Sequence, residues 1–385
     1  MAQINLTLNI KGKDFLLQVC FIKITTNKMD YIKEVANESL LAMGKSSPNP
    51  PVGAIIVSSQ NKIIGRGHTQ NIGGNHAEIE AINNATESLT NSTLYTTLEP
   101  CNITGNTPPC TEAIIKNKIK HVVICQKDPN PKINGNGIKI LNENNVTTEI
   151  VERIEIVEYA LEAYNHFTTT KTPFFTLKLA MSLDGKLATN SGNSKWISGI
   201  RSRELVHKYR SDVDAIVTGI GTVIKDNPQL NVRLENINKS NQPKKIILDT
   251  NGRIPINSQC IDSNTIIVCS NINDKIENEL LNKSVTIEKI PKNNSGSLDL
   301  KYLNDILIKH KLINIFVECG PTLSSELIKL NLIQKLLIFI SPKVIGGSKY
   351  VPFANINSDE MSKVFNLKKI QQSKIGEDIL IKGWF

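Results

Sequence analysis

The chain has 385 residues, 40% of them hydrophobic and 21% charged, which is ordinary for a globular protein and longer than one hydrophobic core normally supports, so two domains are expected. Its formal charge of +9 admits nucleic acid, a membrane surface or phosphorylated small molecules as partners, but the lysines are dispersed among Asn and Ile with no aromatic-basic block, so charge alone selects none. Seven cysteines, an odd number spread through the chain, argue against a secreted disulfide framework and for a reducing cytoplasm.

No apolar run is long enough to span a bilayer, and Phe15–Ile22 is too short and too poorly flanked to read as a signal peptide. Residues 1–28 read as an extension of unassigned role. Helix-spaced Ile32, Val35, Ala36 and Leu40 predict a helix over Asp30–Met43. A rigid turn, Ser46-Ser47-Pro48-Asn49-Pro50-Pro51, leads to a strand at 52–57 with an antiparallel partner at 63–65. A helix from Ala77, a strand at 93–98, a helix from Cys110 and a strand at 121–125 follow. A hairpin succeeded by alternating helix and strand predicts a layered α/β domain over 29–150. Residues 151–172 form a connecting helix, centred on 155–167. From Pro173 strand-like runs recur at 176–181, 215–218, 245–249, 265–269, 315–318 and 336–340, with helices near 200–210 and 322–331. The second domain, 173–385, is again α/β. It lacks a complete dinucleotide fingerprint, since Gly219-Ile220-Gly221 is only a fragment of one.

The sharpest signal is His76-Ala77-Glu78 with Pro100-Cys101 and Cys110. One imidazole and two thiolates suit zinc, and three protein ligands leave a fourth position open, as in catalytic sites. Glu78, two residues past the histidine, can shuttle protons without coordinating the metal, as in zinc deaminases. The eight residues between the cysteines exceed the usual spacing, which requires a loop that returns Cys110 at the head of a helix.

Ser47-Pro48-Asn49-Pro50, Val52-Gly53-Ala54, His76-Ala77-Glu78, Thr97-Leu98-Glu99-Pro100-Cys101, Thr107-Pro108-Pro109-Cys110 and Asp128-Pro129-Asn130-Pro131 resemble the bacterial bifunctional riboflavin-biosynthesis deaminase/reductase family. So do Leu177–Lys186, Ser194–Ile197, Asp214–Val223 and Val317–Leu323 in the second half. The resemblance implies a cytidine-deaminase-like first domain and a dihydrofolate-reductase-like second domain. It implies that His76, Cys101 and Cys110 bind Zn2+, that Glu78 is catalytic, and that Asn49 orients the pyrimidine. It further implies NADPH contacts at Ala180, Trp196, Thr222, Asp226, Thr250, Gly320, Pro321, Thr322, Leu323, Ser324, Ser325 and Glu326. Substrate contacts are implied at Ser194, Arg210, Leu230, Arg233 and Glu318. Arg210 and Arg233 have the chemistry to hold a substrate phosphate, and Gly320 ahead of a helix suits a cofactor phosphate.

The expected function is deamination of a phosphoribosylamino-diaminopyrimidinone followed by NADPH-dependent reduction of its ribosyl chain. The partner is thus a phosphorylated small molecule, with no nucleic acid or membrane, and a homo-oligomer is compatible. Two rivals are a nucleic-acid or nucleotide base deaminase with an unrelated second domain, and a binding protein with structural zinc. The first lacks a basic-aromatic patch, and the second lacks a fourth Cys or His ligand near the motif. Ile103 and Asn106 depart from the family, whose loop carries a histidine and a Lys or Arg there.

Overall fold

The computed structural model describes residues 26–104, 108–151, 153–234 and 242–385. Asn106 and most of the expected N-terminal extension lie outside the described residues. The first half runs α1 (Thr26–Leu40), β1 (Gly53–Val57), β2 (Ile63–His68), α2 (Ala77–Asn83), β3 (Thr93–Thr96), α3 (Cys110–Lys116), β4 (His121–Ile124), α4 (Asn136–Glu143) and β5 (Thr147–Ile150). Its five strands pair in the order β2-β1-β3-β4-β5. β1 is antiparallel to both neighbours, and β3, β4 and β5 are parallel. All five residues of β1 are buried, as expected of a central strand covered on both faces.

Ile32, Val35 and Ala36 recur on one face of α1 and are buried against this sheet. The helix starts at Thr26 rather than Asp30, and Lys28 pairs with Glu149 on β5. The expected extension therefore yields its last residues to the fold. β5 has no readable sequence pattern, because Thr147–Ile150 is a polar edge strand with no buried residue.

The helix α5 (Glu155–Thr170) connects the halves and belongs to both. Val157, Leu161 and Tyr164 enter the first core, and Tyr159 packs on the second. Tyr159 donates to Asp212 at 2.8 Å, and Glu162 accepts from Lys335 at 2.7 Å and from the Trp384 indole. Between the Tyr159 and Trp384 rings, whose centroids lie 5.3 and 4.8 Å away, the buried Lys335 ammonium is well satisfied.

The second half contains β6 (Phe174–Ser182), α6 (Ile200–Ser211), β7 (Ala215–Gly219), α7 (Ile220–Asp226), β8 (Lys244–Leu248), β9 (Thr265–Cys269), α8 (Asp274–Asn282) and β10 (Thr286–Lys289). It continues with α9 (Leu303–Lys309), β11 (Asn314–Val317), α10 (Pro321–Lys329), β12 (Lys335–Ser341), β13 (Lys369–Ile375) and β14 (Asp378–Trp384). The nine-stranded order is β10-β9-β8-β7-β11-β6-β12-β14-β13, parallel except at the β12-β14-β13 end. Side-chain alternation builds a core on each face: Ile315 and Val317 of β11 join one cluster, and Phe316 joins the other. Mostly exposed, β13 carries little hydrophobic signal, so the closing hairpin is absent from the sequence-based expectation.

Candidate active sites

Two helix starts and one turn build the metal centre. His76 is the N-cap of α2, Glu78 lies in the first turn of that helix, and Cys110 opens α3. Cys101 follows β3 across a short turn. His76 Nδ1 stands 3.5 Å from Cys101 Sγ and 3.3 Å from Cys110 Sγ, and the Cys110 N–H donates to Cys101 Sγ at 3.4 Å. Tetrahedral zinc with ordinary bond lengths places nitrogen and sulfur ligands about 3.6 Å apart. The donor set and its spacing therefore fit zinc. The trio is also a cluster of potential ligands whose donor atoms all lie within 4.8 Å of one another.

Close backbone packing sets these positions. A Cβ on Gly67 of β2 would lie 2.4 Å from the Ala77 carbonyl, so only glycine lets α2 settle this near the sheet. At Gly137 of α4 a Cβ would lie 2.2 Å from the Pro100 carbonyl, next to Cys101. The buried Glu99 carboxylate ties the same turn to α4 by accepting from Gly135 N–H at 2.9 Å and Ile138 N–H at 3.2 Å. Negative charge at a helix start is favourable as well as hydrogen-bonded. Gly137→Ala is expected to push the turn away and destabilise the chain by about 1–3 kcal/mol. Zinc should be lost to a competing chelator sooner, and a thermal melt with a chelator titration checks both.

The electrostatics are those of a crowded site. Cys110 hydrogen-bonds Cys101 and lowers its pKa, while the Cys101 thiolate and burial raise that of Cys110. A hydrogen bond to Cys101 likewise raises the pKa of His76. Burial, followed by the nearby Cys101 thiolate, pushes the Glu78 carboxyl up to about 7. Its Oε2 lies 3.6 Å from Cys110 Sγ, so the carboxylate reaches the edge of the ligand cluster. A divalent cation held by the trio favours the ionised form of Glu78 at neutral pH.

In the second half a cleft of about 1030 Å3 opens beyond the carboxyl ends of β6, β7 and β11. Ligands of open α/β sheets occupy such crevices. Ala180, Trp196, Thr222 and Asp226 line it, as do Gly320, Pro321, Thr322 and Leu323 at the start of α10. That helix start has no side-chain cap, which leaves its first N–H groups for an anion. Size and uncapped helix together fit a phosphorylated dinucleotide. Ser194, Arg210, Leu230, Arg233 and Glu318 line the same cleft.

Four of the expected cofactor residues do not reach the cleft wall. Ser324 and Ser325 are fully buried with their hydroxyls donated to the Pro321 carbonyl, because Ser and Thr inside a helix readily bond back one turn. Glu326 pairs with Lys329 on the outer helix face, and Thr250 closes the turn after β8, its carbonyl accepting from Ser270 and Asn271. Arg210, expected to contact substrate, is held by protein groups at the cleft wall. Its Nε and Nη2 donate to Glu318 at 2.5 and 3.0 Å, and Nη1 donates to the Asn231 carbonyl at 3.0 Å. The guanidinium is thus engaged by protein rather than left free for a phosphate. Among the described residues Arg233 hydrogen-bonds the neutral Gln229 and Asn231.

Lys178 and His207, not among the residues expected from sequence, also line the cleft. Burial lowers the pKa of Lys178, partly offset by Glu318, and burial with Arg210 and Arg233 pushes that of His207 down to about 4. A signal for Lys178 exists, since it is the one charge inside the apolar strand Phe174–Ser182. His207 shares an α6 face with Arg203 and Arg210, whose spacing of four and three residues marks one helix side. Trp196 is 63% exposed at the rim, with the Arg203 guanidinium 4.6 Å from its ring centroid.

The model of the RibD C-terminal domain matches residues 173–381, and that of the cytidine and deoxycytidylate deaminase zinc-binding region matches residues 26–126. The riboflavin biosynthesis protein RibD of Aquifex aeolicus is 36% identical over 355 residues, covering 91% of this chain and 97% of the relative. This chain belongs to the RibD family. RibD of Escherichia coli is 33% identical over 311 residues, covering 78% of this chain and 83% of its own. Among solved structures, Acinetobacter baumannii RibD superposes with a TM-score of 0.79 at 32% identity, covering 92% of this chain and 97% of that one. A Thermotoga maritima structure, described as a diaminohydroxyphosphoribosylaminopyrimidine deaminase/5-amino-6-(5-phosphoribosylamino)uracil reductase, gives 0.77 at 31% identity, covering 92% and 97%. RibD architecture accounts for both α/β halves and their order. No helix among the described residues is long and apolar enough to cross a membrane.

Proposed function

We propose that the two sites act in succession on one phosphorylated pyrimidine, deaminating it at the first and reducing its ribosyl side chain at the second. The chain is a bifunctional deaminase and reductase of riboflavin biosynthesis. The observation that carries the division of labour is the buried Glu78 carboxyl beside the His76–Cys101–Cys110 trio. When bound there, zinc supplies the Lewis acidity that makes water nucleophilic at neutral pH. Glu78 would serve as the proton shuttle of deamination, accepting a proton from the attacking water and returning one to the departing ammonia. Asn49 orients the ring. The product is the corresponding uracil.

At the second site NADPH, when bound, supplies the hydride, and the protein orients donor and acceptor. The uncapped N–H groups at the start of α10 would hold its diphosphate, and Thr222 and Asp226 would hold sugar or amide groups. Arg233 binds the substrate phosphate, while Ser194 and Leu230 shape the wall beside it. Glu318, oriented by Arg210, and the Lys178 ammonium form the floor against the sugar and base.

A coupled assay with the diaminopyrimidine substrate, following ammonia and NADPH separately, tests the scheme. Ammonia must appear without NADPH, and NADPH consumption must wait for deamination. Cys101→Ser and Cys110→Ser are each expected to lose zinc, since hydroxyls are poor ligands for it. Elemental analysis finding one zinc per chain in a Cys110→Ser protein would remove that cysteine from the coordination set.

A further inference from the structure

Two loops fold together over one side of the reductase cleft. The segment after β6 and the segment after β12 are joined rung by rung. Leu183 N–H donates to the Lys343 carbonyl at 2.8 Å, and Leu187 N–H donates to the Tyr350 carbonyl at 2.8 Å. Between these rungs the Asp184 carboxylate accepts from Ile345 N–H at 3.0 Å and Gly346 N–H at 2.7 Å. Lys343 Nζ donates to the Trp196 and Ile197 carbonyls at 2.6 and 2.8 Å, which ties the far end of the first loop to the second. The two loops therefore form one flap.

At its tip the flap meets α7. The Lys225 ammonium lies 4.7 Å from the centroid of the Tyr350 ring, and both side chains line the cleft. Gly192, in the first loop, passes against this pair and is buried, although Ser191 and Asn193 beside it are exposed. It is left-handed (φ 85°), and a Cβ there would lie 2.9 Å from both Lys225 Nζ and Tyr350 Oη. α7 follows β7 whereas Tyr350 follows β12, and β11 and β6 lie between those strands in the sheet. At ordinary strand spacing β7 and β12 are about 14 Å apart. The contact thus bridges the carboxyl ends of β11 and β6, beyond which the cleft opens. Lys225 shares α7 with Thr222 and Asp226, so the bridge crosses the side of the cleft assigned above to the cofactor.

We propose that Lys225 and Tyr350 form a clasp that gates this cleft: a dinucleotide enters or leaves when the ammonium parts from the ring and the flap lifts. This rests on the reading of the cleft as the NADPH site. The chemistry of the contact suits that use. A cation over an aromatic face near solvent is a weak bond, so thermal motion breaks it often, yet it favours the closed arrangement. A gate that shuts equally over an empty and an occupied cleft slows entry and exit by one factor and leaves the equilibrium affinity alone.

The test uses the full-length, zinc-loaded chain and NADPH, with binding followed by stopped-flow energy transfer from protein tryptophan to the reduced nicotinamide. Lys225→Met and Tyr350→Leu are each expected to raise the association and dissociation rate constants together, by about two- to fivefold, the range of an exposed cation–π contact, with Kd unchanged. The double variant should match the single ones, because all three remove one contact. Tyr350→Phe keeps the ring and should behave as wild type. Ammonia release, which belongs to the other half, is measured on the same samples to verify that they are folded. Faster dissociation with a weaker Kd and an unchanged association rate would make these side chains ligands of the cofactor rather than a gate, and that outcome overturns the proposal. So do wild-type rates in Lys225→Met or in Tyr350→Leu. Absence of energy transfer when NADPH is added to the wild-type chain would instead remove the reading of the cleft as the NADPH site, and the proposal with it.

Discussion

Replacing Glu78 by glutamine is expected to leave one zinc per chain and to lower ammonia release by about 10²–10⁴-fold, the usual contribution of a positioned proton shuttle. The amide matches the carboxylate in shape, and the three ligands are other side chains, so the metal has no reason to leave. The amide also cannot accept and return a proton. Burial and the neighbouring thiolate raise the carboxyl to about 7, so with the site's own residues alone it would be about half ionised near neutrality. A cation in the trio shifts that balance toward the charged, proton-accepting form. The wild-type kcat/KM should therefore rise with pH along a limb below 7 that the Glu78→Gln enzyme lacks. NADPH oxidation supplied with the uracil intermediate should be unaffected. Near-normal ammonia release with zinc in place would eliminate the shuttle role, whereas zinc loss would place Glu78 among the ligands.

Arg210→Ala is expected to abolish NADPH oxidation and to destabilise the chain, while ammonia release continues below the melting temperature. Arg210 and Glu318 form a two-pronged pair with side-chain exposures of only 11% and 16%. Burial disfavours both charges, and each outweighs it for the other: the Arg210 pKa is raised and the Glu318 pKa lowered. Removing one partner of such a pair strands the other, at about 3–5 kcal/mol. Glu318 would then turn toward Lys178 and leave the geometry the reductase needs. Arg210→Lys should rescue little, because an ammonium cannot make the two parallel bonds. Thermal melts with both assays check this. Wild-type stability in Arg210→Ala would contradict the buried-pair reading, and equal loss of ammonia release in folded protein would contradict the assignment of Arg210 to the reductase half.

Legibility followed the range of the interactions. His76, Glu78, Cys101 and Cys110 lie within 35 residues of one another in motifs whose residue types are dictated by metal chemistry, and the structure brings the donor atoms of the histidine and the two cysteines together, with Glu78 Oε2 3.6 Å from Cys110 Sγ. Apolar strands such as Thr265–Cys269 were readable because burial on both faces demands continuous hydrophobicity. The pairing of Arg210 was not legible for the opposite reason. Its partner Glu318 lies 108 residues away, and no local pattern discloses the pair. The buried setting of Ser324 and Ser325 was not legible either, because a glycine followed by hydroxyls looks the same whether those hydroxyls face a ligand or bond back to their own helix.

By itself, then, the sequence determined the two α/β halves and their order, the zinc trio with its carboxylate, and the family to which the chain belongs. Those follow from hydrophobic periodicity and ligand chemistry, both local in the chain. Only the tertiary structure decided how Arg210 is engaged, that Lys178 and His207 enter the cleft, and that Glu99 and Gly137 hold the turn beside Cys101. It alone brings Gly44 against the Ser211 carbonyl across 167 positions of chain. Such contacts depend on which elements the folded sheets place side by side, and a hydrogen bond between distant residues leaves no periodicity behind.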